Sequence, residues 1–135
     1  AVNAFNPHLV ISAGTAGGFA SRGATLEDCY ISSKCIFHAR RIPLGPYEPY
    51  GLGNYQSLDL RNLAKAVNCK VGICSTSDSL SNTELDLKIC EEQQVCVKEM
   101  EAAAIAQTCD LLKVPFVALK SVTNIVDDEG ETSAE

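Results

Sequence analysis

Short β-branched apolar runs alternate along the chain with segments of helical periodicity, and this alternation constrains the fold more than any other feature. The apolar runs predict strands at 8–14, 27–38, 70–76, 94–99 and 116–123. The periodic segments predict helices at 57–67, 84–92 and 101–112. The first of these helices has Ser57 as its expected N-cap. Strands that alternate with helices indicate an α/β domain, and we expect residues 1–135 to form one such domain.

The segments between these elements are predicted to be loops. Residues 14–24 are rich in glycine, and residues 41–53 contain three of the five prolines together with three glycines. Four polar or glycine-rich loops follow strands, at 14–18, 76–82, 99–101 and 123–128. Because ligands of α/β sheets usually bind beyond the strand ends, we expect these four loops to line one crevice.

Composition narrows the classes of function. The formal charge of −6 and a single basic pair, Arg40-Arg41, argue against a nucleic-acid surface. The apolar runs are far shorter than the roughly 20 residues that cross a bilayer, so no membrane partner is expected. The seven cysteines are odd in number and contain no C-x-x-C pair, which favours buried reduced thiols in a cytoplasmic protein over disulfides or a zinc site.

Two stretches could take part in ligand binding. "AGTAGGF" (13–19) would let backbone N–H groups approach a ligand, although it matches neither a dinucleotide nor a P-loop pattern. Glu101 begins a predicted helix, where the helix dipole stabilises an anion that could accept hydrogen bonds from the two hydroxyls of a ribose. A tight glycine turn and a helix-start acid without further role remain the simpler alternatives.

For several other residues a structural or solvent-exposed role is the simpler interpretation. Asp127 and Asp128 fit a solvated loop, and His38 fits a structural or surface histidine. Glu99 is expected to face solvent or to pair with a lysine, and Met100 to belong to the core or to a pocket wall. The sequence contains no defensible Ser/His/Asp arrangement.

Taken together, five stretches resemble the nucleoside phosphorylase and nucleosidase superfamily, and within it the plant-like 5'-methylthioadenosine/S-adenosylhomocysteine nucleosidases. They are "VISAGTAGGF" (10–19), "FHARRIP" (37–43), "CSTSDSLS" (74–81), "VKEMEAAAIA" (97–106) and "ALKSVTNIVDD" (118–128). The resemblance covers essentially the whole chain. It implies a three-layer fold with a mixed central sheet, and an N-glycosidase that releases adenine in methionine salvage.

The resemblance also implies roles for individual residues. Glu101 would bind the ribose hydroxyls, with Met100 packed against the sugar and Glu99 in the same turn. The ribose and the attacking water would lie beside Thr15, Ala16 and Gly17. The purine would border Leu80 and Ser81. Phe37 and the proline-rich loop would form the 5'-thio pocket, partly across a homodimer interface. No metal or other cofactor is implied.

Two departures from the family pattern bear on activity. Asn124 stands where the family has an aspartate that protonates purine N7, and the general base belongs to an earlier loop that has no counterpart in this sequence. The chain begins with Ala1 and its single methionine is Met100, so we expect an internal part of a longer chain.

Three functions therefore stay open. Ser12 occupies the position where bacterial-type phosphorylases have a phosphate-binding arginine, which favours water as the nucleophile and hence a nucleosidase. A purine nucleoside phosphorylase and a catalytically silent storage or binding relative are the alternatives.

Overall fold

The computed structural model describes residues 1–128. The helices are α1 Val2–Phe5, α2 Glu48–Leu52, α3 Arg61–Ala66, α4 Glu84–Glu92 and α5 Ala102–Leu111. The strands are β1 Val10–Gly18, β2 Cys29–Phe37, β3 Tyr55–Gln56, β4 Lys70–Thr76, β5 Val95–Glu99 and β6 Phe116–Ile125. Short 3-10 turns lie at Ala20–Arg22 and Gly45–Tyr47.

One mixed sheet contains all six strands, in the order β3-β2-β4-β5-β1-β6. The β2–β4, β4–β5 and β1–β6 pairs are parallel, and the β2–β3 and β1–β5 pairs are antiparallel. The last strand of this order, β6, also pairs antiparallel with the start of β2. The sheet therefore closes on itself, and this closure brings the last strand beside the first half of the chain.

Helices cover the sheet on two sides. Cys35 of β2 packs in the cluster that contains Ala102, Ala106 and Cys109 of α5. Its neighbour Ile36 packs with Cys90 of α4 instead. Because successive residues of a strand point to opposite faces, α5 and α4 lie on opposite sides of the sheet. The predicted three-layer α/β fold with a mixed central sheet is confirmed.

The glycine-rich segment differs from its prediction. Residues 14–18 were expected to be a loop but form the second half of β1, paired with β6 through Ile125. A Cβ on Gly18 would come within 2.7 Å of the Ala24 side chain, and one on Gly17 within 2.6 Å of Val126. These glycines therefore allow close packing against the strand and do not form a turn. For this reason the high glycine content led to the wrong prediction of a loop.

Two further boundaries also differ. The helix predicted at 57–67 spans only Arg61–Ala66, and Leu60 precedes it without a side-chain cap. Ser57 is not an N-cap, because its hydroxyl hydrogen-bonds Ser32 at 2.6 Å and its backbone N–H bonds to Ser33. The proline-rich segment 41–53 contains the 3-10 turn and α2, although it was predicted to be loop throughout.

The other predicted elements agree with the structure to within two residues at each end, whereas α1 and β3 were not predicted. The helix at 84–92 and the strand at 70–76 have the predicted bounds. Asp86 closes a capping box with Thr83, which explains where α4 begins. All seven cysteines are free thiols, and each is buried or half-buried. Within residues 1–128, none of the helices has the length and apolar character needed to cross a bilayer.

Candidate active site

The acidic turn between β5 and α5 places its two glutamates in contrasting environments. Glu99 is buried, and its carboxylate accepts hydrogen bonds from the backbone N–H groups of Glu101 and Ala102 at 2.8–3.0 Å. Glu99 thereby caps the N-terminus of α5, where the helix leaves N–H groups without intrahelical partners. The side chain of Glu101 is 62% exposed at the same turn. Of the two acids, Glu101 is the one open to a ligand.

A buried ammonium group joins this turn to the other strands. Lys120 of β6 lies 2.8 Å from a Glu99 oxygen and 3.6 Å from a Glu101 oxygen. Burial would lower the pKa of Lys120, but its hydrogen bond and charge interaction with Glu99 raise it above the usual value. Burial would likewise raise the pKa of Glu99, and the bonds from Lys120 and Thr76 hold it below the usual value. The pair is therefore ionised at neutral pH.

Thr76 completes the buried network at the end of β4. Its hydroxyl donates to Glu99 and accepts from the backbone N–H of Ala103 at 2.8 Å. Thr76 and Lys120 were missed by the sequence analysis. Only the pairing of β4 with β5, and of β6 with β1, places them beside the acidic turn.

Asn124 lies over Gly17. The register of β1 and β6 shifts after Ala16, so that Gly17 pairs with Asn124 and Thr123 is skipped. A Cβ on Gly17 would lie 3.3–3.4 Å from the amide atoms of Asn124. Bulges beside functional sites commonly redirect one side chain. Here the shift brings the side chain of Asn124 across β1.

The β1 residues of the predicted ribose site differ in exposure. Thr15 is exposed, whereas Ala16 and Gly17 are buried. Gly14 lies next to the buried lysine, because a Cβ there would come within 3.3 Å of the Lys120 ammonium. Ser12 is buried and pairs with Ala118.

The segment after β4 carries the predicted purine contacts. Leu80 is 80% exposed, and Ser81 is also exposed. Their loop begins beside the acidic turn, since the backbone N–H of Ser77 donates to the Glu99 carbonyl at 3.1 Å. The loop after β4 therefore lies beside the turn after β5, whereas Asp127, in the segment after β6, bonds to Ala20 and Ser21.

Phe37 and Met100 lie at the margins of this region. Arg40 stacks over the Phe37 ring at 3.9 Å, and Tyr55 meets the ring edge-on at 6.1 Å between centroids. Arg40 also donates to Tyr50 and Gly51 carbonyls, which fixes the proline-rich segment to the end of β2. Met100 is 40% exposed between the two glutamates.

His38 and Asp127 hold structural positions. His38 is buried, and its Nδ1 lies 2.9 Å from the Ser75 hydroxyl. Burial, together with the positive charge of Lys98, lowers the pKa of His38 to about 4. Asp127, expected in a solvated loop, is exposed but accepts hydrogen bonds from the backbone N–H groups of Ala20 and Ser21.

This arrangement can bind a polar ligand through hydrogen bonds. The exposed carboxylate of Glu101 can accept hydrogen bonds from the vicinal hydroxyl groups of a ligand. Residues 1–128 contain no group of three or more His, Cys, Asp or Glu side chains that could hold a metal.

Comparison with protein families and known proteins gives concordant results. The model of the phosphorylase superfamily matches residues 1–135. A 5'-methylthioadenosine nucleosidase of Arabidopsis thaliana is 41% identical over 99% of this chain and 50% of its own length. A 5'-methylthioadenosine/S-adenosylhomocysteine nucleosidase of the same plant is 43% identical over 98% of this chain and 52% of its own length.

The fold is similar as well. The apo structure of Arabidopsis thaliana 5'-methylthioadenosine nucleosidase superposes with a TM-score of 0.92 at 41% identity, covering 97% of this chain and 54% of that one. The chain thus spans about half the length of the curated relatives it matches.

Proposed function

The chain belongs to the phosphorylase superfamily, and from that premise we propose that the protein carrying it is an N-glycosidase. Its reaction is hydrolysis of the N-glycosidic bond of 5'-methylthioadenosine, S-adenosylhomocysteine or both, with release of adenine. The support for this substrate class is the identity of 41% and 43% to two nucleosidases named for these compounds.

One observation carries the proposal at the level of chemistry. The Glu101 carboxylate is exposed in the turn that follows β5, 3.6 Å from the ammonium group of Lys120 on β6. A ribose at this point would donate its 2'- and 3'-hydroxyls to Glu101. Cleavage of the bond develops positive charge on the sugar, and an anionic carboxylate close by stabilises that charge.

The neighbouring residues then acquire defined roles. Met100 packs against the sugar, and Thr15 and the backbone at Ala16 and Gly17 lie beside the attacking water. Leu80 and Ser81 border the purine. Phe37, held between Arg40 and Tyr55, forms part of the 5'-thio pocket.

The nucleophile is proposed to be water rather than phosphate. Ser12 is neutral and buried within β1, so it supplies no charged hydrogen bond to a phosphate group. This feature favours hydrolysis over phosphorolysis in a family that includes both reactions.

Asn124 determines how active the native protein is. An amide can hydrogen-bond N7 of the purine but cannot protonate it. We expect adenine release from 5'-methylthioadenosine by the full-length protein to rise about 10²–10⁴-fold in Asn124→Asp, the range of general acid catalysis. Adenine release is measured in phosphate-free buffer and again with phosphate added.

The same assay separates the alternatives. The double variant Asn124→Asp/Glu101→Gln serves as the control and should lose the gain. Equal and rapid release by the native and Asn124→Asp proteins would place the acid elsewhere. Release only with phosphate would identify a phosphorylase. If neither protein releases adenine under any condition, the result would indicate a storage or binding protein.

Assembly and location are part of the same proposal. We infer a homodimer in which the proline-rich segment 41–53 lies at the interface and completes the 5'-thio pocket. Leu44, Tyr47 and Tyr50 of this segment are 62–69% exposed, and exposed apolar patches of this kind commonly mark protein interfaces. The seven free thiols fit a reducing cytoplasmic setting, where the released products would enter methionine salvage.

A further inference from the structure

Lys98 is a buried cation whose hydrogen-bond partners both belong to the loop 77–82. Lys98 is only 5% exposed. Its ammonium group donates to the carbonyl oxygen of Leu80 at 2.9 Å and to the side-chain oxygen of Asn82. Both acceptors are uncharged. A buried ammonium group is costly unless its protons are bonded, so the loop and the lysine constrain each other.

The position of Lys98 follows from the geometry of β5. Lys98 and Glu99 are successive strand residues, and successive side chains point to opposite faces. Glu99 bonds to the N-terminus of α5, as described above. Lys98 therefore points to the other face, towards α4, and reaches the loop that connects β4 with α4.

The loop is also held at its two ends. At its start, Ser77 bonds to the Glu99 carbonyl, and its hydroxyl forms a turn with Ser79. At its end, the capping box of Thr83 and Asp86 begins α4. Between these ends, residues 78–82 are exposed. Lys98 supplies the hydrogen bonds that reach the middle of this exposed span.

We propose that Lys98 is a positioning residue, which holds the Leu80–Asn82 backbone in the conformation that binds the purine. This inference rests on the proposed function, because it takes Leu80 and Ser81 as the purine contacts. Lys98 itself touches no substrate in this account. When the ammonium is removed, fewer molecules have the loop in the binding conformation, and the apparent affinity falls by the same fraction.

Burial lowers the pKa of Lys98, against the opposing effects of Cys90 and Asp86 on α4. This direction agrees with an ammonium whose direct acceptors are neutral oxygens. It also means that the cation has lost more hydration than it has regained from charged neighbours.

The test compares Lys98→Met with the native full-length protein. Methionine keeps much of the side-chain volume and avoids a buried charge, so the variant should fold. We expect adenine to bind about tenfold more weakly in a calorimetric titration with unchanged stoichiometry. We also expect thermolysin to cut faster at the Ser79–Leu80 bond, as read by mass spectrometry. Lys98→Arg, which keeps the charged donors, should recover most of both properties.

The matched control is Lys88→Met. Lys88 lies on α4 with its side chain 68% exposed, so its removal should change neither measurement. Native affinity together with a native cleavage rate in Lys98→Met would overturn the inference. A reduced stoichiometry at unchanged affinity would also overturn it, because that result reports a destabilised protein.

Failure of the proposed function gives a different result. A native protein that does not bind adenine would refute the purine site and, with it, the purine role of Lys98. A native protein that binds adenine, with a Lys98→Met variant that binds equally well, would refute only the present inference.

Discussion

At the residue scale, the chemistry of the acidic turn depends on the hydrogen-bond partners of two glutamates that are separated by a single residue. Glu99 is buried, and its charge is satisfied by Lys120, Thr76 and the first N–H groups of α5. Glu101 keeps an exposed carboxylate. A carboxylate with four internal donors stabilises the turn, whereas one with free lone pairs can accept from a ligand. The division of roles follows from burial, not from residue type.

The same scale yields a prediction about pH. His38 is buried and neutral, with its pKa lowered to about 4 from the usual 6.5. Below pH 6.5 the unfolded chain takes up a proton that the folded chain does not, so the free energy of unfolding should decrease as the pH falls towards 4. The decrease is on the order of 3 kcal/mol over this interval. Urea unfolding at pH 7, 6, 5 and 4 measures it.

Two variants isolate this effect from the titration of carboxylates. His38→Gln should remove most of the dependence between pH 6.5 and 5. The other histidine, His8, is exposed, so His8→Gln should leave the native dependence in place. Equal slopes for native protein and His38→Gln would show that His38 is protonated in the folded state.

At the element scale, β1 shows why a glycine-rich segment can be a strand. Gly18 lies against the side chains of Ala24 and Val122, and Gly17 lies under Val126 and Asn124. Side chains at these positions would separate β1 from the chain that packs across it. The absent Cβ atoms leave room for the register shift that places the Asn124 amide against Gly17.

This packing predicts the outcome of a small substitution. A Cβ in Gly18→Ala would approach the Ala24 Cβ to 2.7 Å and a Val122 methyl to 2.8 Å. Overpacking of this kind costs about 1–3 kcal/mol, so the thermal midpoint should fall by several degrees. Scanning calorimetry measures the shift.

Gly14→Ala is the matched control on the same strand. The nearest atom to its new Cβ is the end of the Lys120 side chain at 3.3 Å, which can move. Its loss of stability should be clearly smaller than that of Gly18→Ala. A loss as large, or larger, would contradict the argument from packing.

At the scale of the whole molecule, the closed sheet and its two helical layers gather loops from distant parts of the chain. The β6–β2 pairs close the sheet, and the β1–β6 pairs align Gly14 with Lys120. The proline-rich segment 41–53 exposes the large side chains of Leu44, Tyr47 and Tyr50. Arg40 bonds to this segment and stacks on the Phe37 ring at the end of β2. A partner that binds the segment would therefore also affect the position of Phe37.

The proposed dimer can be tested on this surface. Leu44→Asp/Tyr50→Asp would place two charges among apolar contacts, and we expect the full-length protein to halve its mass in light scattering behind size exclusion. Leu111→Asp replaces another exposed apolar side chain, 74% exposed at the end of α5, and should not change the mass. A native protein that is already monomeric would refute the dimer.

Much of the element pattern was predictable, and the errors have specific causes. The strand at 70–76 and the helix at 84–92 have strong periodicity and clear turn or cap residues, so both were predicted with their observed bounds. The helix at 57–67 was predicted too long because the Ser57 hydroxyl hydrogen-bonds to Ser32 on β2 and does not cap the helix N-terminus. The glycines of β1 were misassigned because composition cannot distinguish a turn from close packing.

The candidate site was predictable only in part. The motif around Glu101 could be recognised from the sequence because the helix dipole stabilises an acidic side chain at the start of a helix. The sequence did not single out Thr76, Lys120 or Lys98. Each of them bonds to a residue that is distant in the chain and is brought close by strand pairing or by the packing of a loop. Their roles require contacts that no local pattern specifies.

By itself, the sequence determined the α/β class, the order of most elements and the acidic turn that carries Glu101, because these depend on periodicity and on local backbone chemistry. The tertiary structure alone decided which acid is buried, which lysine neutralises it, and where Asn124 points. Those outcomes depend on strand register and burial, and both arise from contacts between residues that are far apart in the chain. A carboxylate has the same chemistry at positions 99 and 101 until folding gives each a different set of neighbours.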